Sequence, residues 1–96
     1  YRNAMPATSA DSLSANTLLA IGVSVNSTAI RCWALVCNDD GDPDLLVLFN
    51  SGDTVYRYAF RHWDDAKAWD AMQDDPETSW GQQLHRRLKE GAILTV

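Results

Sequence analysis

The sequence contains no apolar run near the roughly 18 residues that a membrane-crossing helix needs, no basic-then-apolar leader and no internal repeat. A membrane partner, a secretory route and a solenoid are therefore not expected. Histidine and cysteine are scarce, two of each in 96 residues, and neither His62 nor His85 stands at zinc spacing from a thiol or a second imidazole. No metal and no cofactor is expected. Cys32 and Cys37 lie about 17 Å apart if their segment is one strand, whereas a disulfide needs Cα atoms within about 7 Å. Both read as reduced, core-filling thiols, which fits a cytoplasmic protein. Nucleophile signatures are also missing. Ser51 sits in Asn50-Ser51-Gly52-Asp53 rather than a Gly-x-Ser-x-Gly elbow, and no phosphate-cradling glycine loop occurs. The acidic run Asn38 to Asp44 is no EF-hand, because aligning Gly41 with the loop glycine puts Val36 and Val47 at the first and last ligand positions. With no nucleophile, base and orienter in one constellation, an enzyme is not expected.

Basic residues are the minority. Eight Lys and Arg face thirteen Asp and Glu, a net charge of -5, which repels a polyphosphate unless the cations gather on one surface. Arg86, Arg87 and Lys89 do cluster, so nucleic acid is disfavoured by bulk charge but not locally.

The chain is 46% hydrophobic and 22% charged, the balance of a single globular domain. Tyr1 to Ala4 read as a leader before Met5, and Pro6 to Ser14 as a loose Ala/Ser/Thr arm. Residues 1–14 are thus set apart from a domain over 15–96. Leu19, Ile21, Val23 and Val25 alternate in a half-buried strand with Gly22 as a tolerated weak point or a bulge. Asn26 to Thr28 supply a turn; they also form a glycosylation sequon, which the absence of a leader leaves as turn chemistry. Ala29 to Cys37 carries Ile30, Cys32, Ala34 and Val36 on one face and Arg31, Trp33, Leu35 and Cys37 on the other. After the Asn38–Asp44 loop, Leu45 to Phe49 reads as an inner strand. Thr54 to Phe60 follows, with Tyr56, Tyr58 and Phe60 facing the core and Arg57 and Arg61 facing out. A helical period then begins. Trp63, Ala66, Trp69 and Met72 form one stripe, and Trp80, Leu84 and Leu88 another, with Ser79 and Gln82 resembling a capping box and Gly91 a C-terminal stop. Ala92 to Val96 could add an edge strand. The expected fold is α+β, a four-stranded antiparallel meander packed on two C-terminal helices.

The run Leu45, Val47, Phe49, Gly52, Val55, Tyr56-Arg57-Tyr58, then Ser79-Trp80-Gly81, Leu84, Leu88 and Lys89, resembles the KTSC domain family. That family is a small module found alone or at the C-terminus of some lysyl-tRNA synthetases. The match covers Leu45 to Lys89. The chain differs in placing Ile21-Gly22 more than twenty residues ahead of Leu45, and in having His85 where the family often has Asn. The resemblance implies a strand-rich fold with packed helices and no known catalytic activity, with RNA binding proposed for the family.

Two surfaces are candidates for function. Arg31, Trp33 and Leu35 lie on a strand apolar on both sides, in a chain with helices enough to cover only one, which points to self-association or a protein partner. Arg57 and Arg61, or Arg86, Arg87 and Lys89, are the candidate contacts for RNA or single-stranded nucleic acid.

Overall fold

Apolar strands separated by turns at Asn38–Asp42 and Asn50–Asp53, rich in Asn, Asp and Gly, fold here as an antiparallel sheet. The computed structural model describes residues 17–23 and 29–96, so the leader, the arm over residues 1–14, Val25 and the Asn26–Thr28 turn lie outside it. The elements are β1 (Thr17–Val23), β2 (Ile30–Cys37), β3 (Pro43–Phe49), β4 (Val55–Phe60), α1 (Trp63–Ala71), a 3-10 turn (Met72–Asp74), α2 (Trp80–Glu90) and β5 (Ile93–Thr95). The sheet order is β1-β2-β3-β4-β5, every pair antiparallel. The α+β meander is as expected, extended to five strands because Ile93–Thr95 returns beside β4. No helix among the described residues is long and apolar enough to cross a membrane.

Local chemistry explains the connections. Asn38 folds the β2–β3 loop around its side chain, whose Oδ1 accepts the backbone N–H groups of Asp40 and Asp42 at 2.9 and 3.1 Å. Gly41 takes φ +80° at its tip, a conformation costly for any residue with a Cβ. At the start of α1 the Asp65 carboxylate accepts the His62 N–H at 3.1 Å. Helix α2 stops at Gly91, φ +83°, in the left-handed cap expected of it. Its other end differs from the sequence reading: Ser79 occupies the N-cap position but makes no side-chain capping bond.

Cross-strand partners share a face, so the register sorts the side chains. On the helix-covered side, Ala20, Leu35, Leu45 and Tyr58 form one rank and Gly22, Trp33, Val47 and Tyr56 the next. A bulge between Ile30 and Cys32 breaks the alternation, so that Ile30 and Trp33 are both buried in the core. The helices close over this side with Ala66, Trp69, Trp80 and Leu84. Trp33, Trp69 and Trp80 touch one another, ring centroids 5.1 to 6.0 Å apart, and Phe60 meets Trp69.

Gly22 is a requirement of this packing, not the weak point its sequence context suggests. A Cβ there would stand 2.6 Å from the Trp33 Nε1, so the absent side chain is what lets the indole lie across β1.

Candidate functional site

The opposite side of the sheet has no described element over it. Its first rank is Leu18, Val36, Asp44, Ala59 and Leu94, its second Ile21, Ala34, Leu46 and Arg57, its third Val23, Cys32, Leu48 and Val55. Eleven of these thirteen side chains are apolar or thiol, and several stand well into solvent: Leu18 60%, Ile21 63%, Val23 71% and Val55 57% exposed. Small Ala34 and Cys32 leave a shallow apolar hollow of about 180 Å³, walled by Ile21, Leu46, Leu48 and Val55.

This corrects the candidate interface. Trp33 and Leu35 are only 2% and 6% exposed and belong to the core, so β2 presents Cys32 and Ala34 outward and buries the face expected to be free. Arg31 is exposed at the strand's start, where its guanidinium donates to the Asn50 carbonyl at 3.5 Å. The alternation on β1 is corrected as well, since Leu19, Ile21 and Val23 are exposed and Ala20 and Gly22 turn toward the helices. The surface residues missed by sequence reasoning, Ile21, Cys32, Ala34, Leu46, Leu48 and Val55, had one available signal. A large Trp33 on a covered face needs a small cross-strand partner, and Gly22 supplies it.

Among the described residues of these three ranks, the two charges are paired. Arg57 Nε donates to Asp44 Oδ2 at 2.8 Å, and the Asn38 amide donates to the other oxygen at 3.1 Å. Asp44 is 7% exposed and Arg57 40%, so the pair lies between the surface and interior regimes. Arg57→Ala should cost about 1 kcal/mol, above a median exposed pair because the buried carboxylate keeps only its Asn38 bond. Urea unfolding of Arg57→Ala, Asp44→Asn and the double variant should show the two effects to be coupled rather than additive.

The candidate nucleic-acid residues are not brought together. Arg57 lies on the uncovered face, whereas Arg86, Arg87 and Lys89 belong to the helical layer on the opposite side. Arg86 bonds Gln83 at 2.9 Å, and Arg87 is half-buried with its guanidinium on the Met72 sulfur at 3.5 Å. Lys89 and Arg61 are exposed. Tyr58 packs against the core, and burial, with the nearby Tyr56 hydroxyl, raises its phenol above the ordinary 10.0. Tyr56 is less covered than expected: half exposed, it rests edge-on against Phe49 at 5.4 Å.

His62 and His85 are exposed. Asn38, Asp39, Asp40, Asp44 and Arg57 line an open polar hollow of about 270 Å³, but among the described residues no group of three or more His, Cys, Asp or Glu could hold a metal ion. Both cysteines are free thiols. No family model, no curated protein and no solved structure matches this chain.

Proposed function

We propose that the chain is a non-enzymatic interaction module, of the kind the KTSC likeness implies, and that its contact surface is the uncovered sheet face. One observation carries this: Leu18, Ile21, Val23, Val55 and Leu94 stand well into solvent around partly exposed Cys32, Ala34, Leu46 and Leu48, on a sheet whose other side holds both described helices. The exposed apolar area is on the order of 600 Å², at the upper end of the largest patches that monomers leave open. At about 25 cal/mol per Å², roughly 15 kcal/mol of gross burial is unrealised in the lone chain.

Nucleic-acid binding has less in its favour. Its cations are split between two sides of the sheet, and Arg57 and Arg87 already have protein partners. A titration with single-stranded RNA at low and high salt separates the readings, because phosphate contacts weaken as salt rises.

The direct test uses Ile21→Glu and Val55→Glu, both at exposed positions on the face, with Gln82→Glu on exposed α2 surface as a control of equal charge. In dilute protein the apolar dye anilinonaphthalene sulfonate should bind the unaltered chain and the control, and several-fold less to either face variant, with near-ultraviolet circular dichroism unchanged. Equal binding by all four proteins would count against the face.

A further inference from the structure

We infer that the occupant of this face is a second copy of the same chain, packed sheet against sheet. The inference rests on reading the face as a contact surface and adds the identity of what covers it. Three features point to self-pairing. The first is area: about 600 Å² from each copy gives a total near the 1,200 Å² lower bound of specific protein interfaces, so a weak dimer is the expected product.

The second is charge. The protein carries -5 overall, which would set two copies against each other if the acids faced across the contact. Among the described residues they are kept to its ends. Asp39, Asp40 and Asp42 occupy the β2–β3 loop at one end of the sheet, where Asp39 and Asp40 line a hollow with Asp44 and Arg57, Asp53 lies in the β3–β4 turn at the other end, and Asp64, Asp65, Asp70, Asp74, Asp75, Glu77 and Glu90 follow β4 in the helical layer. The second and third ranks hold no acid, and Arg57 is paired with Asp44, so two copies meet through these ranks without setting carboxylates against each other.

The third is shape. The same face offers both a hollow, floored by Ala34 and Cys32, and projecting aliphatic side chains, Ile21 and Val23 on β1. A surface that meets itself across a two-fold axis must carry both members of each fit, since every contact occurs twice.

Sedimentation of the full chain from about 5 to 500 µM tests this. The weight-average mass should climb from one copy's 10.7 kDa toward twice that value. Ile21→Glu and Val55→Glu should stay at one copy throughout, while Gln82→Glu should associate like the unaltered chain. A single-copy mass at every concentration would overturn the second copy as occupant, and would leave the dye result standing as evidence for a different partner. A dimer that survives both face variants would overturn it too, by placing the contact elsewhere, for instance along the open edge of β1. Slow thiol labelling of Cys32 in a single-copy protein would show the face covered from within the same chain, and that also overturns it.

Discussion

Trp69→Ala should lower the melting temperature by on the order of 20 °C, the largest loss expected of any single substitution in this chain. Replacing a buried aromatic by alanine costs about 3–5 kcal/mol, and in a domain of this size each kcal/mol moves the midpoint by about 4–8 °C. Trp69 is fully buried and meets Trp33, Trp80 and Phe60 at once. It is the one ring through which α1, α2, β2 and β4 all touch. Against a total stability of about 5–15 kcal/mol, its loss leaves a marginal protein.

Two companion substitutions sharpen the prediction. Trp63→Ala should cost less than about 1 kcal/mol, because Trp63 is 38% exposed at the start of α1 and falls in the range of surface changes. Trp69→Phe should be far milder than Trp69→Ala. Among the described residues the Trp69 indole N–H is buried without an acceptor, and phenylalanine keeps much of the ring while removing that unsatisfied donor. Thermal unfolding of the three variants, followed by far-ultraviolet circular dichroism, checks the order. Equal losses for Trp63 and Trp69 would show that helical spacing, not the packing described, sets their worth.

That pair also shows how far the sequence could be read. Spacing by three placed Trp63 and Trp69 on one stripe, but a stripe has ends, and the first residue of a helix lies beyond the sheet it packs on. The element order, the turn chemistry of Asn38 and Gly41 and the Gly91 cap were legible because each depends on local dihedrals and hydrogen bonds. The faces of β4 were legible too, but those of β1 and β2 were not. Period-two alternation tells which side chains share a side of β2, but with Cys32, Ala34 and Val36 on one side and Trp33 and Leu35 on the other, hydrophobicity cannot say which side the helices take. The bulge after Ile30 then breaks the alternation itself. Inverting β2 moved the candidate surface: the expected Arg31, Trp33 and Leu35 became two core residues and one rim cation, and the open face passed to residues that looked like filling. The candidate nucleic-acid residues pose a different question. Arg57 and the Arg86–Lys89 cluster are each visible in the sequence as alternative sets, yet only the topology shows that they lie on different sides of the sheet.

Gly22→Val should destabilise the protein by about 1–3 kcal/mol, and the sign of that change is the test. Strand propensity gives the opposite expectation. Val is favoured over Gly in strands by up to about 1 kcal/mol, and Gly22 does not occupy the left-handed conformation that would exclude a side chain, since among the described glycines only Gly41 and Gly91 do. What forbids the substitution is the Trp33 indole, which a Cβ would approach to 2.5 Å at Cζ2 and 2.6 Å at Nε1. Trp33 cannot give way easily, being 2% exposed and held from the other side by Trp69 and Trp80. The softer response is for edge strand β1 to lift from β2. Urea unfolding should therefore show Gly22→Val less stable than the unaltered chain, and Gly22→Ala displaced in the same direction. A smaller partner should rescue it: Trp33→Leu, costly alone, should cost less in the Gly22→Ala background, with a coupling of about 1 kcal/mol or more. Additivity of the two changes would mean that the indole does not lie across Gly22. Lifting β1 also carries Leu18, Ile21 and Val23 out of the uncovered face, so Gly22→Val should weaken the proposed self-association although residue 22 faces the helices. A steric requirement of the core thus holds in place the strand that supplies much of the uncovered apolar face.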